Sequence, residues 1–324
     1  MPTELNGADW SAYRTVFITD DGRVIDTGSH GISHSEGQGT AMLLAAVYDD
    51  PETFARVWNW TRSNLQVRED RLFAWKWDPN KTVHVQDLNN ASDGDLLIAW
   101  ALVRAATRWN TPVFADEAAL ILQDVRAKLL KRTSQGLVLL PGAAGFTQGD
   151  TVLVNLSYWI FPAFDDFDRF QPAAEWEELR STGVMLINQA RFGRWRLPPD
   201  WVQISPDVAL PAKFAPRFSY DAIRIPLYVV WGNKQREVKL DAFRNFWGFF
   251  DGASFTPAWT DLTDNSVGTY DAAPGIYSVM RLVYAASGST KAAHKKTEQK
   301  KERESYYSGS LRLLTAVARN ETRL

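Results

Sequence analysis

The chain contains 324 residues, of which 45% are hydrophobic and 23% are charged, and its formal net charge is −2. This composition is typical of a globular protein and argues against a sequence-independent nucleic-acid binder, which needs an excess of basic residues. The absence of cysteine excludes disulfides, zinc–thiolate sites, iron–sulfur clusters and thiol nucleophiles, and no apolar run is long enough to span a membrane.

Helical patterns follow one another along the whole chain, and no linker rich in proline, glycine or serine divides it. We predict eleven helices, at residues 8–16, 40–49, 51–65, 93–109, 114–131, 157–167, 171–192, 219–232, 238–251, 274–285 and 303–319. Asp50 followed by Pro51 is typical of a helix start, and Ser92 is expected to cap the helix that follows it.

Short strands are predicted in two pairs, residues 16–19 with 23–26 and residues 137–140 with 151–154. Strands this few and this short do not build a central parallel sheet, and no fixed period indicates a solenoid. The pattern therefore predicts an all-α class with minor β-strands, in which helical hairpins form an (α/α)6 barrel. We expect a single domain over residues 1–324.

Residues 286–304 are small and polar at first and then strongly charged. Because glutamates interleave with the lysines, we interpret this segment as a solvated loop that leads into the last helix. The alternative is a basic patch for an anionic partner.

Aromatic residues are unusually frequent, with 14 Trp, 10 Tyr and 17 Phe. Part of this set must belong to the hydrophobic core. Flat exposed rings are also the surfaces on which sugars stack, and a long groove for a polysaccharide would use several of them.

With no cysteine and only four histidines, carboxylates are the expected proton-transfer groups. Glu36 lies in the segment HSEGQG, where a glycine-rich loop is expected to enter an apolar helix and to let a substrate approach the backbone. Apolar surroundings would favour the protonated form of this carboxyl, as an acid catalyst requires. The alternative is a structural glutamate that is stabilised by the helix dipole.

Asp93 and Asp95 lie in ASDGD, at the first turn of a predicted helix. One interpretation is a carboxylate directed into a cleft, and the other is stabilisation of the helix N-terminus alone. The D-x-D spacing also occurs in calcium loops, but the later ligands of an EF-hand are missing from this sequence.

Asp221 and Arg224 are three residues apart in FSYDAIRIP and are expected to pair on one helical face. Such a pair either holds Asp221 ionised, as a general base requires, or is purely structural. The chain contains no G-x-S-x-G elbow, Walker loop or G-x-G-x-x-G motif, and no two histidines have metal-binding spacing. We therefore expect neither a metal nor a cofactor.

The acidic clusters belong to a series of segments: DGRVIDTGSHGISHSEGQGTAM, RLFAWKWDP, NNASDGDLLIAWALVRA, NLSYWIFPAF, PDWV, FSYDAIRIPLYVVWG and YYSGSLRLLTAVA. In this order they resemble glycoside hydrolase family 8 over nearly the whole chain. The likeness is closest to the bacterial endo-β-1,4-glucanases that accompany cellulose synthesis.

The resemblance implies an (α/α)6 barrel with an open cleft across one end and hydrolysis of β-1,4 bonds with inversion. It assigns Glu36 as the general acid, Asp221 as the general base and Asp93 as the residue that grips and distorts the sugar. Inversion needs room for a water, so the carboxyl groups of Glu36 and Asp221 should be about 6.5–9.5 Å apart. Asp95 is the second choice for the role of Asp93. The expected substrate-binding residues are Tyr158, Arg224, Trp75, Trp77, Asp95 and Asn155.

Two positions depart from the family pattern. Thr40 stands where relatives usually carry tyrosine, and Leu156 replaces the proline of an N-P-S-Y segment. The loop around Asn155 and Tyr158 is therefore expected to sit differently, whereas the three carboxylates are retained.

The resemblance predicts an inverting endoglucanase that acts on amorphous cellulose or soluble β-glucan, as a monomer and in association with the cellulose synthesis machinery. Alternatives are a xylanase, a chitosanase or a mixed-linkage glucanase of the same family, or a non-catalytic glucan-binding component of cellulose assembly. The start MPTELNG has neither a basic nor an apolar signal region. The family nevertheless leads us to expect a periplasmic or secreted protein.

Overall fold

Eleven α-helices lie in the residues that the computed structural model describes, 5–289 and 304–324. They are α1 (Gly7–Phe17), α2 (Ser35–Val47), α3 (Pro51–Asn64), α4 (Ser92–Trp109), α5 (Pro112–Lys128), α6 (Phe161–Phe170), α7 (Ala174–Gln189), α8 (Arg224–Trp231), α9 (Asp241–Phe249), α10 (Pro274–Ala286) and α11 (Tyr306–Thr322). Each overlaps one predicted helix, so the all-α class is confirmed. Most of the charged segment 286–304 lies outside the described residues, and its interpretation stays a prediction.

The helices form two concentric layers. In the inner layer α2 contacts α4, α4 contacts α6, α6 contacts α8, α8 contacts α11, and α11 closes the ring on α2, with α10 packed beside α8 and α11. Helices α3, α5 and α7 pack on α2, α4 and α6. Among the inner helices, α4 is buried without interruption from Ser92 to Val103, and α8 is buried along its whole length. This is the predicted (α/α)6 barrel.

The first turns of the inner helices meet at one end of this barrel. Arg224, at the start of α8, contacts Glu36 in α2 and Asp93 in α4. Tyr306, at the start of α11, packs against His34, the residue before α2. The topology therefore brings together residues as distant in the sequence as His34 and Tyr306.

Short strands connect the helices, and all their pairings are antiparallel. Strand β1 (Ser33–His34) pairs with β2 (Lys76–Trp77), β3 (Leu130–Thr133) with β4 (Gly136–Leu139), and β9 (Arg217–Phe218) with β10 (Thr260–Asp261). A four-stranded sheet contains β5 (Thr147–Gln148), β6 (Thr151–Val154), β7 (Val202–Ser205) and β8 (Asp207–Ala209) in that order.

Both predicted strand pairs need correction. Strands β4 and β6 are present, but β4 pairs with β3 across a two-residue turn and β6 pairs with β5 and β7. Because only two residues separate β3 from β4, these two strands pair with each other, and β4 does not join the four-stranded sheet. The predicted hairpin at residues 16–26 is reduced to one bridge, between Ile18 and Val24, because α1 continues to Phe17.

Within the described part of the chain, none of the helices combines the length and the apolar character that a membrane crossing requires.

Candidate active site

The three predicted carboxylates stand at or just before helix starts. Glu36 is the second residue of α2 and Asp93 the second residue of α4. Helix α2 begins five residues earlier than predicted, so Glu36 lies in its first turn and not in a loop. Helix α8 begins only at Arg224, so Asp221 lies in the preceding turn, which the hydrogen bond from the Arg224 amide to the Asp221 carbonyl closes at 3.0 Å.

Two glycines let α2 and α4 approach closely enough to bring their carboxylates together. A Cβ atom on Gly39 would lie 2.6 Å from Cβ of Leu97, and one on Gly94 would lie 2.8 Å from the amide nitrogen of Glu36. Separations below 3 Å do not occur for real Cβ atoms. Gly39 of SEGQG and Gly94 of ASDGD therefore serve the contact between the two helices.

The guanidinium of Arg224 bridges all three carboxylates. Its Nη1 lies 3.3 Å from Oε1 of Glu36 and 3.8 Å from Oδ2 of Asp93, and its Nη2 lies 2.7 Å from Oδ1 of Asp221. Because Nη1 and Nη2 share one carbon, the contacting oxygens of Glu36 and Asp221 are no more than about 8–9 Å apart, which does not exceed the upper end of the range of about 6.5–9.5 Å that accommodates a water in inverting enzymes.

Charge balance explains why a buried arginine is stable at this point. Burial lowers the pKa of Arg224, but the carboxylates of Asp221, Glu36 and Asp93 outweigh it and raise that pKa well above its usual value. The guanidinium is therefore charged at every accessible pH and holds the three acids around it.

Asp221 is fixed from both sides. Arg224 contacts its Oδ1, and the side-chain amide of Asn155 donates to its Oδ2 at 2.9 Å. Asn155 is itself held, because its Oδ1 accepts from the amide and the hydroxyl of Ser157 at 3.1 and 2.7 Å. Asn155 is almost fully buried, and in this structure its side chain contacts Asp221; its expected contact with substrate stays a prediction.

Asp200 supports the same turn and was not singled out from the sequence. Its Oδ1 accepts from the backbone amides of Ser219 and Ala222, at 3.0 and 2.8 Å, on either side of Asp221. Burial raises the pKa of Asp200, the negative charge of Asp221 raises it further, and the two amide bonds lower it. The segment PDWV contains this residue, but nothing in the local pattern reveals its distant partners.

The two acids of ASDGD face different surroundings. Asp93 faces Arg224. Burial raises the pKa of Asp93 to about 7, although the positive charge of Arg224 lowers it, and the negative charges of Glu36 and Asp221 contribute to the rise. Asp95 has no exposed surface and accepts from the Phe73 amide at 2.9 Å and from the Asn90 side chain at 2.6 Å. Both oxygens of Asp95 thus hold groups of the protein itself, and its expected contact with substrate stays a prediction.

A histidine and a tyrosine complete this end of the barrel. His34 caps α2 by accepting the Gly37 amide on Nδ1 at 3.0 Å, and the same atom is 3.2 Å from Oε2 of Glu36. Its Nε2 lies 3.4 Å from Oδ2 of Asp26. Tyr306 packs edge-on against the imidazole with the ring centres 5.4 Å apart. Neither residue was singled out from the sequence, although His34 is the first residue of the segment HSEGQG.

The tryptophans expected to stack on glucosyl units are both half-buried. Trp75 donates its indole N–H to Asp87 at 2.9 Å, which fixes its ring. Trp77 already has neighbours at its ring, with the His84 ring 4.2 Å away centre to centre and the Arg23 guanidinium 5.0 Å from its centroid. None of these contacts tests stacking on a sugar, so that role of Trp75 and Trp77 stays a prediction.

Another set of aromatic rings lies beside Tyr158. Trp201 stands between the nearly parallel rings of Phe146 and Phe214, at centre distances of 5.8 and 4.3 Å, and Tyr158 meets it edge-on at 6.4 Å. Burial and the nearby charges of Asp93 and Asp221 raise the pKa of Tyr158 well above its usual value. The charges of both carboxylates thus reach Tyr158, and its expected role stays a prediction.

The two departures from the family pattern leave the carboxylates in place. Thr40 is fully buried within α2, and Leu156 is buried at the start of a 3-10 turn, Leu156–Tyr158, which Asn155 caps. Among the described residues, no group of three or more histidines and acids is arranged to hold a metal ion.

The sequence matches the model of "Glycosyl hydrolases family 8" over residues 3–321. It is 39% identical to a "Probable endoglucanase" of Novacetimonas hansenii over 315 residues, which cover 96% of this chain and 90% of that protein. It is also 39% identical to an "Endoglucanase" of Cellulomonas uda over 279 residues, or 84% of this chain and 76% of that protein.

Solved structures agree with this relationship. The endo-β-1,4-glucanase CMCax from Acetobacter xylinum superposes with a TM-score of 0.89 at 38% identity, covering 98% of both chains. The family 8 endoglucanase Cel10 from Klebsiella pneumoniae superposes with a TM-score of 0.88 at 34% identity, covering 97% of this chain and 99% of that one. The chain therefore belongs to glycoside hydrolase family 8.

Proposed function

We propose that this glycoside hydrolase is an inverting endo-β-1,4-glucanase, which cleaves internal bonds of amorphous cellulose or soluble β-glucan. The observation that carries the proposal is the guanidinium of Arg224, which contacts both Glu36 and Asp221 and so keeps the two carboxyl groups no further apart than inversion allows. The relatives named as endoglucanases support the substrate class.

In the proposed reaction, Glu36 donates a proton to the glycosidic oxygen as the bond to the anomeric carbon breaks. A water attacks that carbon from the opposite face and gives a proton to Asp221. The configuration at the anomeric carbon inverts in this single displacement. Donors on both oxygens of Asp221 suit a carboxylate anion, which is the form that a base must have.

Asp93 is proposed to grip sugar hydroxyls and to favour a distorted ring at the point of cleavage. Its pKa of about 7 means that near neutral pH it is present both as an acceptor-only carboxylate and as a carboxylic acid that can donate. Tyr158 beside it would help to place the attacking water or the sugar ring.

The remaining expectations are part of the same proposal. One catalytic domain spans residues 1–324, which the family match to residues 3–321 supports. The protein acts as a monomer, in the periplasm or outside the cell. Its resemblance to glucanases that accompany cellulose synthesis supports an association with the synthesis machinery.

The configuration of the first product tests the mechanism. Proton NMR during early turnover of a soluble glucan should show the α-anomer at the new reducing end, because a single displacement inverts a β bond. An initial β-anomer would mean a retaining mechanism and would contradict the assignment of Asp221 as the base.

The substitution Glu36→Gln tests the acid. The amide keeps the shape of the side chain but cannot donate an acidic proton, so we expect activity to fall about 10²–10⁴-fold. Glu52→Gln is the matched control, because Glu52 is likewise the second residue of a helix, α3, but is exposed on the surface. More than about a third of the activity remaining in Glu36→Gln would remove that residue from the acid role.

Substrate screening separates the alternatives. Carboxymethyl cellulose should be hydrolysed faster than xylan, chitosan or mixed-linkage glucan, and the reverse order would favour one of the other activities in the family. A chain that binds glucan but hydrolyses none of these substrates would favour the non-catalytic alternative.

A further inference from the structure

A cavity that shares no residue with the proposed reaction lies between the end of α7 and the start of α9. Its volume is about 550 Å³, which is within the range of about 300–1,000 Å³ that is usual for small-molecule sites. Its lining comes from the last turn of α7, the loop that follows α7 and the segment that leads into α9. The aromatic, amide and charged residues of the lining include Arg191, Trp195, Arg196, Lys239, Asp241 and Asn245.

The lining has an excess of positive charge. Among the described residues, no carboxylate lies within ion-pair distance of Arg191, Arg196 or Lys239, and Asp241 is the only acid that lines the cavity. That acid already pairs with Arg244. The first turn of α9 also belongs to the lining, and the positive end of the helix dipole adds to the effect of the cations. The cavity therefore favours an anion.

Arg191 is the most enclosed of the three cations, and all its partners are neutral. Its Nη2 donates to the carbonyl of Lys239 at 3.1 Å and to Oδ1 of Asn188 at 3.4 Å. Its guanidinium carbon lies 5.7 Å from the centre of the Phe243 ring. Its Nη1 is buried and has no hydrogen-bond partner in the part of the chain that the structure describes. None of these contacts supplies a negative charge.

The electrostatic cost of this arrangement is visible in the arginine itself. Burial and the positive charge of Arg196 lower the pKa of Arg191 to about 10, although the negative charge of Asp241 raises it. Buried charges in proteins are normally paired, and an unpaired one calls for an explanation, such as a bound ion. A ligand anion in the cavity would compensate the charge of Arg191.

The number of cations indicates which anion fits. A phosphate group carries about −1.5 to −2 charges near pH 7 and offers at least three acceptor oxygens, and guanidinium groups bind it through two parallel hydrogen bonds. A carboxylate carries a single charge and would leave more of the positive charge uncompensated. The cavity also exceeds the size of one phosphate ion, and Trp195 and Asn245 offer an aromatic ring and an amide, which suit the ring and the hydroxyls of a sugar.

We propose that this cavity binds a phosphate group, with Arg191, Arg196 and Lys239 as its counter-ions. The phosphate is either the free ion or the phosphate of a small sugar phosphate. The inference goes beyond the proposed function and does not depend on it, because the site and the three carboxylates have no residue in common.

Phosphorus-31 NMR titration of the whole chain tests the site, with inorganic phosphate and glucose 6-phosphate as separate probes at low ionic strength. Each probe should show saturable binding, and the tighter of the two identifies the source of the phosphate. Acetate at the same concentration should displace neither. No saturable binding of either probe up to about 10 mM, or equally effective displacement by acetate, overturns the proposal.

Two substitutions assign the binding to this cavity. Arg191→Gln and Arg196→Gln should each weaken phosphate binding at least about tenfold, because each removes a charged donor. Arg132→Gln is the matched control: Arg132 is exposed and outside the cavity, so its loss should change the affinity less than about twofold. Arg196 is itself exposed, so its replacement leaves the core untouched, and circular dichroism verifies that all three variants are folded.

The same titration separates the cavity from the barrel end that holds Arg224. Saturation of the chain with cellotetraose should leave phosphate binding unchanged, because none of the residues around Arg224 lines the cavity. Displacement of phosphate by cellotetraose would place the anion among the active-site residues and would overturn the proposal. Unaltered affinity in both Arg191→Gln and Arg196→Gln would do the same.

Discussion

Asp93 and Asp95 stand two positions apart in the first turn of α4, yet one faces Arg224 and the other faces the protein's own backbone. Residues two apart on a helix do not share a face, so the sequence shows that the two acids differ in environment. It does not show which of them meets the cleft, because that depends on where α2 and α8 pack. The resemblance to the family supplied the choice of Asp93.

Asn155, Asp200 and His34 show what local patterns leave out at the residue scale. The partner of Asn155 is 66 positions away, and the amides held by Asp200 are 19 and 22 positions away. The contacts of Asn155 and Asp200 are recognisable only when the fold has brought their partners together, whereas His34 contacts Glu36 and Gly37, which are its neighbours in the sequence. The three carboxylates and the pairing of Asp221 with Arg224 were predictable, whereas Asp200, His34 and the contact of Asn155 with Asp221 were not.

The bridging geometry of Arg224 predicts a residue-scale effect of Arg224→Lys. Lysine keeps the positive charge, but one ammonium cannot contact Glu36 and Asp221 through two separate nitrogens. We expect a folded protein whose kcat falls at least about tenfold, whereas Arg236→Lys at an exposed position should match the wild type. If steady-state kinetics show more than half of the wild-type kcat in Arg224→Lys, charge alone suffices and the bridge is not needed.

At the scale of elements, all the predicted helices are present but two of the functional helices have displaced starts. SEGQG was expected to be a loop because glycine has a low helix propensity, and histidine is not a usual cap. Packing against α4 overrides that propensity, because only glycine fits the narrow gap. The start of α8 could have been predicted more closely from Pro226. Proline is favoured in the first helical turn, and Pro226 is the third residue of the helix that begins at Arg224.

The close contact of α2 and α4 predicts that Gly39→Ala is destabilising. Alanine normally stabilises a helix relative to glycine by about 0.5–1 kcal/mol. The new methyl group would lie 2.6 Å from Cβ of Leu97 and 2.8 Å from the backbone nitrogen of Ile98, so overpacking should instead cost about 1–3 kcal/mol. Urea unfolding measures the change, with Gly7→Ala as the control because a Cβ there has no neighbour within 4 Å. Equal stabilities for the two variants would mean that the helices separate without cost.

On the scale of the whole molecule, the three acids and the arginine that bridges them lie together at one end of the barrel. The starts of α2, α4 and α8 converge there, and the positive ends of their dipoles favour the carboxylates of Glu36 and Asp93. Arg224 adds one full positive charge among three acids. The compensation is incomplete, because burial still raises the pKa of Asp93 to about 7. Ionisation of Asp93 is thus expected to reduce the stability of the folded chain.

This imbalance predicts a pH-dependent gain of stability in Asp93→Asn. The pKa of Asp93 is about 7 in the folded chain, and it is about 3.9 in an unfolded one. The folded state therefore binds the proton more tightly, and stability is lost as the pH rises from about 4 to about 7. Each unit of pKa difference corresponds to about 1.4 kcal/mol, so Asp93→Asn should raise the Tm by a few degrees at pH 8 and by much less at pH 4. Calorimetry at both pH values measures this difference, and Asp116→Asn, at an exposed position of α5, should change the Tm equally at both. A gain in Asp93→Asn that is the same at pH 4 and pH 8 would mean that Asp93 ionises as readily in the folded barrel as in the unfolded chain.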